Sequence, residues 1–290
     1  MIRDTIHNTG RVIRAEDGPT EIFQILAGVL QGDTLAPLLF IIAIDYIMRK
    51  TLEGADLGFT IQPRRSRRYP AKKLSDADYA DDLALLADTI DGAQVFLARL
   101  EEFAASVGLH INGSKTKYMT NCISPDHNGI RGSDGQLLEE VDDFVYLGSW
   151  IGNSEKDFKV RKAKAWSALN KMNRVWKSKM SRKMKVRLFR STVETIFLYG
   201  SETWTITKSL GKKIDGCYSR MLRAALNIRC AADKVSNAVV FQDIPRVTEK
   251  IRTQRLRMAG HLARHNDLVG HVNYLCGNQL MARRGVVARY

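Results

Sequence analysis

The chain is predicted to be an α+β protein in two parts, and three observations predict it. Up to about residue 152, short apolar runs bounded by turn residues alternate with helical periodicities. From Ser154 onward the strand signals stop and amphipathic helices follow one another. The charge changes at the same place: residues 156–190 carry fourteen basic side chains and a single acid, Asp157. A boundary near Gly152 therefore separates a mixed region from a helical one. The expected organisation is 1–152, then 153–266, then a tail, 267–290, whose signals are too weak to assign.

Taken in order, residues 11–25 predict a hairpin. Val12 and Ile13 lead into Glu16-Asp17-Gly18-Pro19, and Ile22, Phe23 and Ile25 return. "GVLQGDTLAPLLFIIAIDYIMRK" (28–50) predicts a buried helix with Asp33 as a cap and Pro37 in the first turn. Residues 54–71 read as an exposed loop around Arg64, Arg65, Arg67 and Arg68. Lys73 to Ala87 reads as strand, tight turn, strand, with Asp81 and Asp82 at the turn. A helix follows from Asp91, its N-cap, to Gly108, burying Phe96, Leu100, Phe103 and Val107. Short strands resume over 108–119 and 142–151. Helices are expected over Glu155–Lys177, Ser181–Gly200, Ile214–Leu226 and Arg246–Ala263, the first with a stripe of Phe158, Ala165, Leu169, Met172 and Trp176.

With 290 residues, 44% of them hydrophobic, the chain can bury a substantial core. The formal charge of +14 indicates a polyanionic partner, nucleic acid before membrane. Most of it sits in one segment: residues 156–190 sum to +13. A solvated helix face usually mixes signs, and this one does not. The backbone-contact candidates are Lys162, Lys164, Lys171, Arg174, Lys177, Arg182, Lys183 and Lys185, and binding through them is expected to be salt-sensitive. Trp166 and Trp176, at helical spacing, read as core. The apolar run Leu35–Met48 is too short and, with Asp45, too polar to span a bilayer, so no transmembrane segment or membrane partner is expected. The opening MIRDTIHNTG has no apolar core of a secretory signal, and the four cysteines show no close pairing, so nucleus or cytoplasm is the expected compartment.

The stretch "DYADDLALL" (78–86) places two acids side by side before an apolar strand. Most Asp-Asp pairs only form turns. Here the flanking strands would pin both carboxylates to one sheet edge, and such oxygen ligands suit Mg²⁺ with substrate phosphates. Two ions roughly 3.5–4 Å apart would serve an attacking hydroxyl and a leaving pyrophosphate. That chemistry needs carboxylates from more than one segment.

Four blocks, in order, resemble the reverse transcriptase of LINE-type, non-LTR retrotransposons in its palm and thumb portion. They are "GVLQGDTLAPLLF" (28–40), "YADDLALL" (79–86), "GLHINGSKTKYM" (108–119) and "VYLGS" (145–149). "LYGSETWTITK" (198–208) and "RLRMAGHLAR" (255–264) extend the likeness through the helical region. The resemblance implies a palm built on a small antiparallel sheet, a basic helical thumb, a two-metal Mg²⁺ site, an RNA template, a DNA primer and deoxynucleoside triphosphates. It also implies roles: Asp81 as principal metal ligand and Asp82 as its weaker neighbour, with Tyr79 bracing the primer end. Gln31 and Gly32 would lie against the template–nucleotide pair, where glycine lets backbone approach. Lys115, with Lys117 as rival, would sit near the triphosphate, and Leu147 and Gly148 would seat the primer.

The family's upstream block, aromatic-x-Asp-x-x-Lys-Ala-Phe-Asp, is not found in the 27 residues before Gly28, where Asp4 and Asp17 lie in unsuitable settings. Fingers and an endonuclease are not found either. The expectation is a partial palm with one sheet edge exposed beside the Asp-Asp hairpin, and no DNA synthesis by the chain alone. The alternative is a retroelement remnant that binds RNA or DNA without catalysis. His261 and His265 stand at i, i+4 but lack evident further ligands, so a helix-surface pair is expected.

Overall fold

The computed structural model describes residues 10–12, 14–15, 18–19, 21–24, 32, 34–120, 128–228, 235–242, 244–264 and 286–289. The first hairpin forms: β1 (Gly10–Arg11) pairs with β4 (Phe23–Gln24), and β2 (Arg14–Ala15) with β3 (Gly18–Pro19), both antiparallel. Gly18 and Pro19 belong to the return strand. Glu16 and Asp17, the other expected turn residues, lie outside the described residues.

Helix α1 (Ala36–Leu52) has Pro37 in its first turn as expected, where a missing N–H costs nothing; its N-cap position is Leu35, without a side-chain bond, and the expected cap Asp33 lies outside the described residues. Its burial differs from expectation. Ile47, Met48 and Thr51 enter the core, while Leu38, Ile41, Ile42 and Tyr46 are exposed. The 54–71 loop also needs correction, because it contains β5 (Phe59–Gln62), which pairs with β6 (Lys72–Leu74). Four residues are too few for a periodicity to stand out beside an arginine cluster. The four arginines do lie on the exposed connection between these strands.

β7 (Asp76–Tyr79) and β8 (Asp82–Ala87) form an antiparallel hairpin, followed by α2 (Ile90–Ser106). The cap of α2 is Thr89, whose hydroxyl accepts from the Gly92 N–H; Asp91 stands in the first turn instead, near the positive end of the helix dipole. Gly108, at φ +80°, supplies the left-handed residue that ends the helical path. After it come β9 (Lys117–Met119), β10 (Glu139–Glu140), β11 (Phe144–Tyr146) and β12 (Ser149–Ile151), the last two a hairpin. The strand expected over 108–119 is therefore confined to its last three residues.

The central sheet has five strands in the order β10-β9-β13-β8-β7, where β13 is the C-terminal Val286–Arg289. β13 pairs antiparallel with both β8 and β9, which makes those two parallel to each other. The expected open edge beside β8 is thus closed by the chain's own last strand. On one face of the sheet Leu83, Leu85 and Ala87 pack against Ile47, Phe96, Leu97 and Leu100 of the two helices. On the other, Ala84, Leu86 and Met119 pack against Phe144, with Tyr146 and Ile151 of the β11–β12 hairpin alongside. Strand alternation across a two-sided core fixes the register of β8.

The helical region comprises α3 (Ser154–Lys171), α4 (Asn173–Trp176), α5 (Arg182–Phe189), a π-helical turn (Arg190–Glu194), α6 (Thr195–Phe197), α7 (Lys208–Ala225), α8 (Asn237–Phe241) and α9 (Val247–Arg264). The expected helix at 214 starts earlier, at Lys208, because the Thr207 side chain caps the Leu210 N–H. One core joins them, built on Phe158, Leu169, Trp176, Phe189, Phe197, Trp204, Tyr218 and Ile251. Trp176 is core as expected, and its indole N–H donates to the Leu169 carbonyl at 2.8 Å. Trp166 is only partly buried against the same core. Within the core the Glu194 carboxylate accepts from the Tyr218 hydroxyl and pairs with Lys250.

Candidate active site

The β7–β8 turn is two residues long, Ala80 and Asp81, closed by the pair Tyr79–Asp82. Ala80 has φ +56°, a conformation glycine takes readily and alanine does not. The sequence predicts both acids at the turn, and this is corrected: only Asp81 is a turn residue, because Asp82 already pairs with Tyr79. Asp81 projects from the tip and is exposed, while Asp82 opens β8 and is half-buried. Behind them Leu83 to Ala87 are all buried, so the carboxylates ride on the best-anchored strand of the sheet. Among the described residues no cation pairs with Asp81.

The hairpin's two faces carry different groups. Tyr79 is 65% exposed and shares the Asp82 face, since directly paired residues point the same way. On the opposite face stand Asp76 and Asp78, paired across the strands with Leu85 and Leu83. The Asp78 carboxyl is pushed up to about 7 by burial, then by the like charge of Asp76 and the hydrogen bond between the two. Sequence reasoning missed this second acidic pair. Its signal was present in the alternation "SDADY" (75–79), which sets residues 76 and 78 on one side of a strand.

Lys115 reaches the same end of the sheet by a different route. Ala84, Arg289 and Lys117 lie in one row across β8, β13 and β9. Because β8 and β9 are parallel, Asp81 and Asp82 at the start of β8 and Lys115 just before β9 lie at the same end of the sheet. Two strand spacings, about 10 Å, separate the two paths. Lys115 is exposed, in a turn whose backbone is held by Asn112. Its rival Lys117 is engaged at 2.8 Å with Glu139.

The β11–β12 hairpin stands over the Asp82 face. The Tyr146 hydroxyl donates to the Ala77 carbonyl at 2.8 Å and approaches the Asp82 carbonyl at 3.5 Å. Leu147 and Gly148 form its tip. Gln31 lies outside the described residues. Gly32 is exposed at φ +95° with no atom near the place of a Cβ, so backbone conformation, rather than close approach, asks for glycine there.

Along the basic segment, Lys162, Lys164, Lys171, Arg174, Lys177 and Lys183 are exposed. Arg182 is half-buried and donates to the Val240 carbonyl at 2.7 Å. Lys185 departs from the expected set: it is buried and its ammonium donates to the Trp176 carbonyl at 2.6 Å, so it closes a helix end instead of facing solvent. His261 is exposed on α9, and His265 lies outside the described residues.

The family profile described as reverse transcriptase (RNA-dependent DNA polymerase) matches residues 2–151, just over half of the chain and the whole of the carboxylate hairpin. The chain belongs to the reverse transcriptase family. This reverse transcriptase chain is 29% identical over 212 residues to a transposon-derived protein of Caenorhabditis elegans, covering 69% of the chain and 75% of that protein. It is 28% identical over 158 residues to the Pol polyprotein of the type-2 retrotransposable element R2DM of Drosophila melanogaster, covering 51% of the chain and 14% of the polyprotein. With the RNA-directed DNA polymerase ascribed to transposon BS of the same fly it shares 26% identity over 260 residues, 84% of the chain and 27% of that protein. R2 elements are non-LTR retrotransposons. The last alignment is longer than the profile match, so the likeness extends into the basic helices. Among the described residues no helix is long and apolar enough to cross a membrane.

Proposed function

We propose that this chain is the palm and thumb portion of a non-LTR retrotransposon RNA-directed DNA polymerase, with an RNA template, a DNA primer and deoxynucleoside triphosphates as its substrates. The observation that carries the reading is the exposed Asp81 at the tip of a hairpin whose second strand is buried from Leu83 to Ala87, next to Asp82 and Tyr79. Hard carboxylate oxygens in a rigid, solvent-facing position fit Mg²⁺, which keeps several waters and accepts phosphate oxygens as its remaining ligands. When bound, such ions polarise the primer hydroxyl and neutralise the leaving pyrophosphate. In this reading Asp81 and Asp82 hold the metal, Tyr79 braces the primer terminus and Lys115 meets the triphosphate. Gln31 and Gly32 line the template–nucleotide pair, and Leu147 with Gly148 seats the primer. The exposed cations of the helical region bear on the duplex backbone.

Two-metal transfer asks for carboxylates from more than one segment. Among the described residues no group of three histidine, cysteine or acidic side chains gathers around a metal position. With the family's upstream aspartate block not found in the sequence, the reading includes that the chain by itself does not extend a primer. Primer extension by purified protein on an RNA template with Mg²⁺ tests this. The expected result is no product above background. Extension abolished by Asp81→Ala would establish a complete site and overturn the inactive reading, while leaving the family assignment untouched.

The second reading, a nucleic-acid-binding remnant, draws on the unbalanced charge of residues 156–190. Affinity measured against salt, with and without Mg²⁺, separates the two. Binding that is steeply salt-dependent and indifferent to Mg²⁺ and to Asp81→Ala favours the remnant.

A further inference from the structure

The tip of the β11–β12 hairpin is built in a way its own sequence does not favour. Tyr146 pairs with Ser149, leaving Leu147 and Gly148 as a two-residue turn with φ of +48° and +79°. Two positive φ values are the signature of a type I′ turn, which selects Asn-Gly or Gly-Gly. A leucine in the first position meets steric resistance from its Cβ. Its side chain is nonetheless left 37% exposed rather than buried in compensation.

The turn is held from outside, through both carbonyls. The Tyr199 hydroxyl donates to the Leu147 carbonyl at 2.8 Å, and the Arg161 guanidinium donates to that of Gly148. Arg161 in turn lies 4.1 Å above the Tyr199 ring, so the two holders brace each other. Behind Arg161 is Asp157, wholly buried, 3.5 Å away and fixed by the Trp204 indole N–H at 2.8 Å. Gly200, at φ +69°, lets the Tyr199 segment close on β12: a Cβ there would stand 2.0 Å from the Ser149 hydroxyl. At its other side the same hairpin is tied by Tyr146 to the Ala77 and Asp82 carbonyls. One small hairpin thus touches the carboxylate strands and the basic helical region at once.

From this we infer that Arg161 and Tyr199 are positioning residues, which hold Leu147 outward in a single orientation and make the helical region set where a primer terminus rests beside Asp81. The inference rests on the proposed primer seat. Strained backbone that persists only because its surroundings hold it is concentrated at functional sites. Here one holder, Arg161, stands on α3 within the basic segment, and the other, Tyr199, in the turn that follows α6. Neither residue touches the reacting atoms; each acts through the tip.

The experiment uses the full chain with a photoreactive benzoylphenylalanine introduced at position 147 and an RNA–DNA template–primer labelled at the primer 3′ end. In the parent, cross-links are expected to concentrate on the terminal nucleotide of the primer. Tyr199→Phe, which keeps the ring and deletes one hydrogen bond, should lower the yield at that nucleotide about fivefold, in favour of neighbouring positions. Overall affinity should change less than twofold, and the melting temperature should fall by about 2–4 °C, the loss of one hydrogen bond. Arg161→Lys should shift the cross-links in the same direction and serves as the second arm; because Arg161 is buried beside Asp157, its melting temperature falls as well, and the distribution is read below that temperature. Unchanged cross-link distributions in both variants would overturn the inference and leave the primer seat standing. Absence of any cross-link to the primer end in the parent would refute the seat itself, and the inference with it.

Discussion

Asp78 and Asp81 lie three residues apart and their settings are opposite. Asp81 stands in water at a hairpin tip, whereas the Asp78 carboxyl is crowded against Asp76 and raised to about 7. A carboxyl raised in the folded state binds its proton there at pH values where the unfolded chain has already lost it. Between about pH 4 and pH 7 the folded state is therefore the more protonated, and stability falls as pH rises through this window. Because Asp78 as a whole residue lies at the surface, solvent screening keeps the change small. Asp78→Asn removes the titration, and urea denaturation at pH 5 and pH 8 is expected to show a smaller pH difference for the variant than for the parent. An identical difference in both would mean that Asp78 titrates normally. Neither property can be seen in "DADYADD" until the strand register assigns each aspartate to a face.

At the scale of single elements, the basic helices divide into cations that face water and cations that hold the bundle together. Lys183 and Lys185 are two positions apart on α5, yet the first is exposed and the second buried against the end of α4. Lys183→Ala is expected to reduce the slope of log affinity against log salt by roughly 0.7–0.9, one phosphate contact, with melting temperature unchanged. Lys185→Ala should do the reverse. It leaves the Trp176 carbonyl without its donor and opens a gap, costing about 2 kcal/mol of stability, while the salt slope of the folded fraction stays constant. A titration and a melting curve on each variant check both. Equal salt slopes for the two variants would show that burial does not sort these lysines. The π-helical turn follows the same logic: it delivers Glu194 to Tyr218 and Lys250 inside the core, where a regular helix would turn it elsewhere.

For the molecule as a whole, the decisive feature is the last strand. β13 lies at the centre of the sheet, between β8 and β9, although it comes from the last residues of the chain. Remove it and the carboxylate hairpin loses its neighbour on the β8 side, as does β9, the strand that follows Lys115. Ala288→Pro deletes a backbone donor in a strand paired on both sides, which a central strand does not tolerate. The expected result is a melting temperature about 5 °C lower, with faster amide exchange in Leu85 and Tyr118, the residues paired with Ala288. Exchange limited to residues 286–289 would show that the sheet stands without this strand.

Some of this was legible in the residues. The 28–40, 79–86, 108–119 and 145–149 blocks carried the family, because chemistry of that kind needs specific side chains at short spacings; the charge of 156–190 carries only the proposal of a polyanionic partner. Helix existence was equally plain where the apolar repeat ran for several turns, as in Phe96, Leu100 and Phe103, although Val107, expected on the same buried face, is exposed. Only tertiary structure could decide which lysine is buried, which lysine of 115 and 117 is already engaged, and how Arg161 and Tyr199 hold a turn far away in sequence. The same holds for β13, whose four residues carry no pattern of their own. Pairing between distant segments depends on backbone hydrogen bonds and on available space, and neither leaves a mark on local sequence.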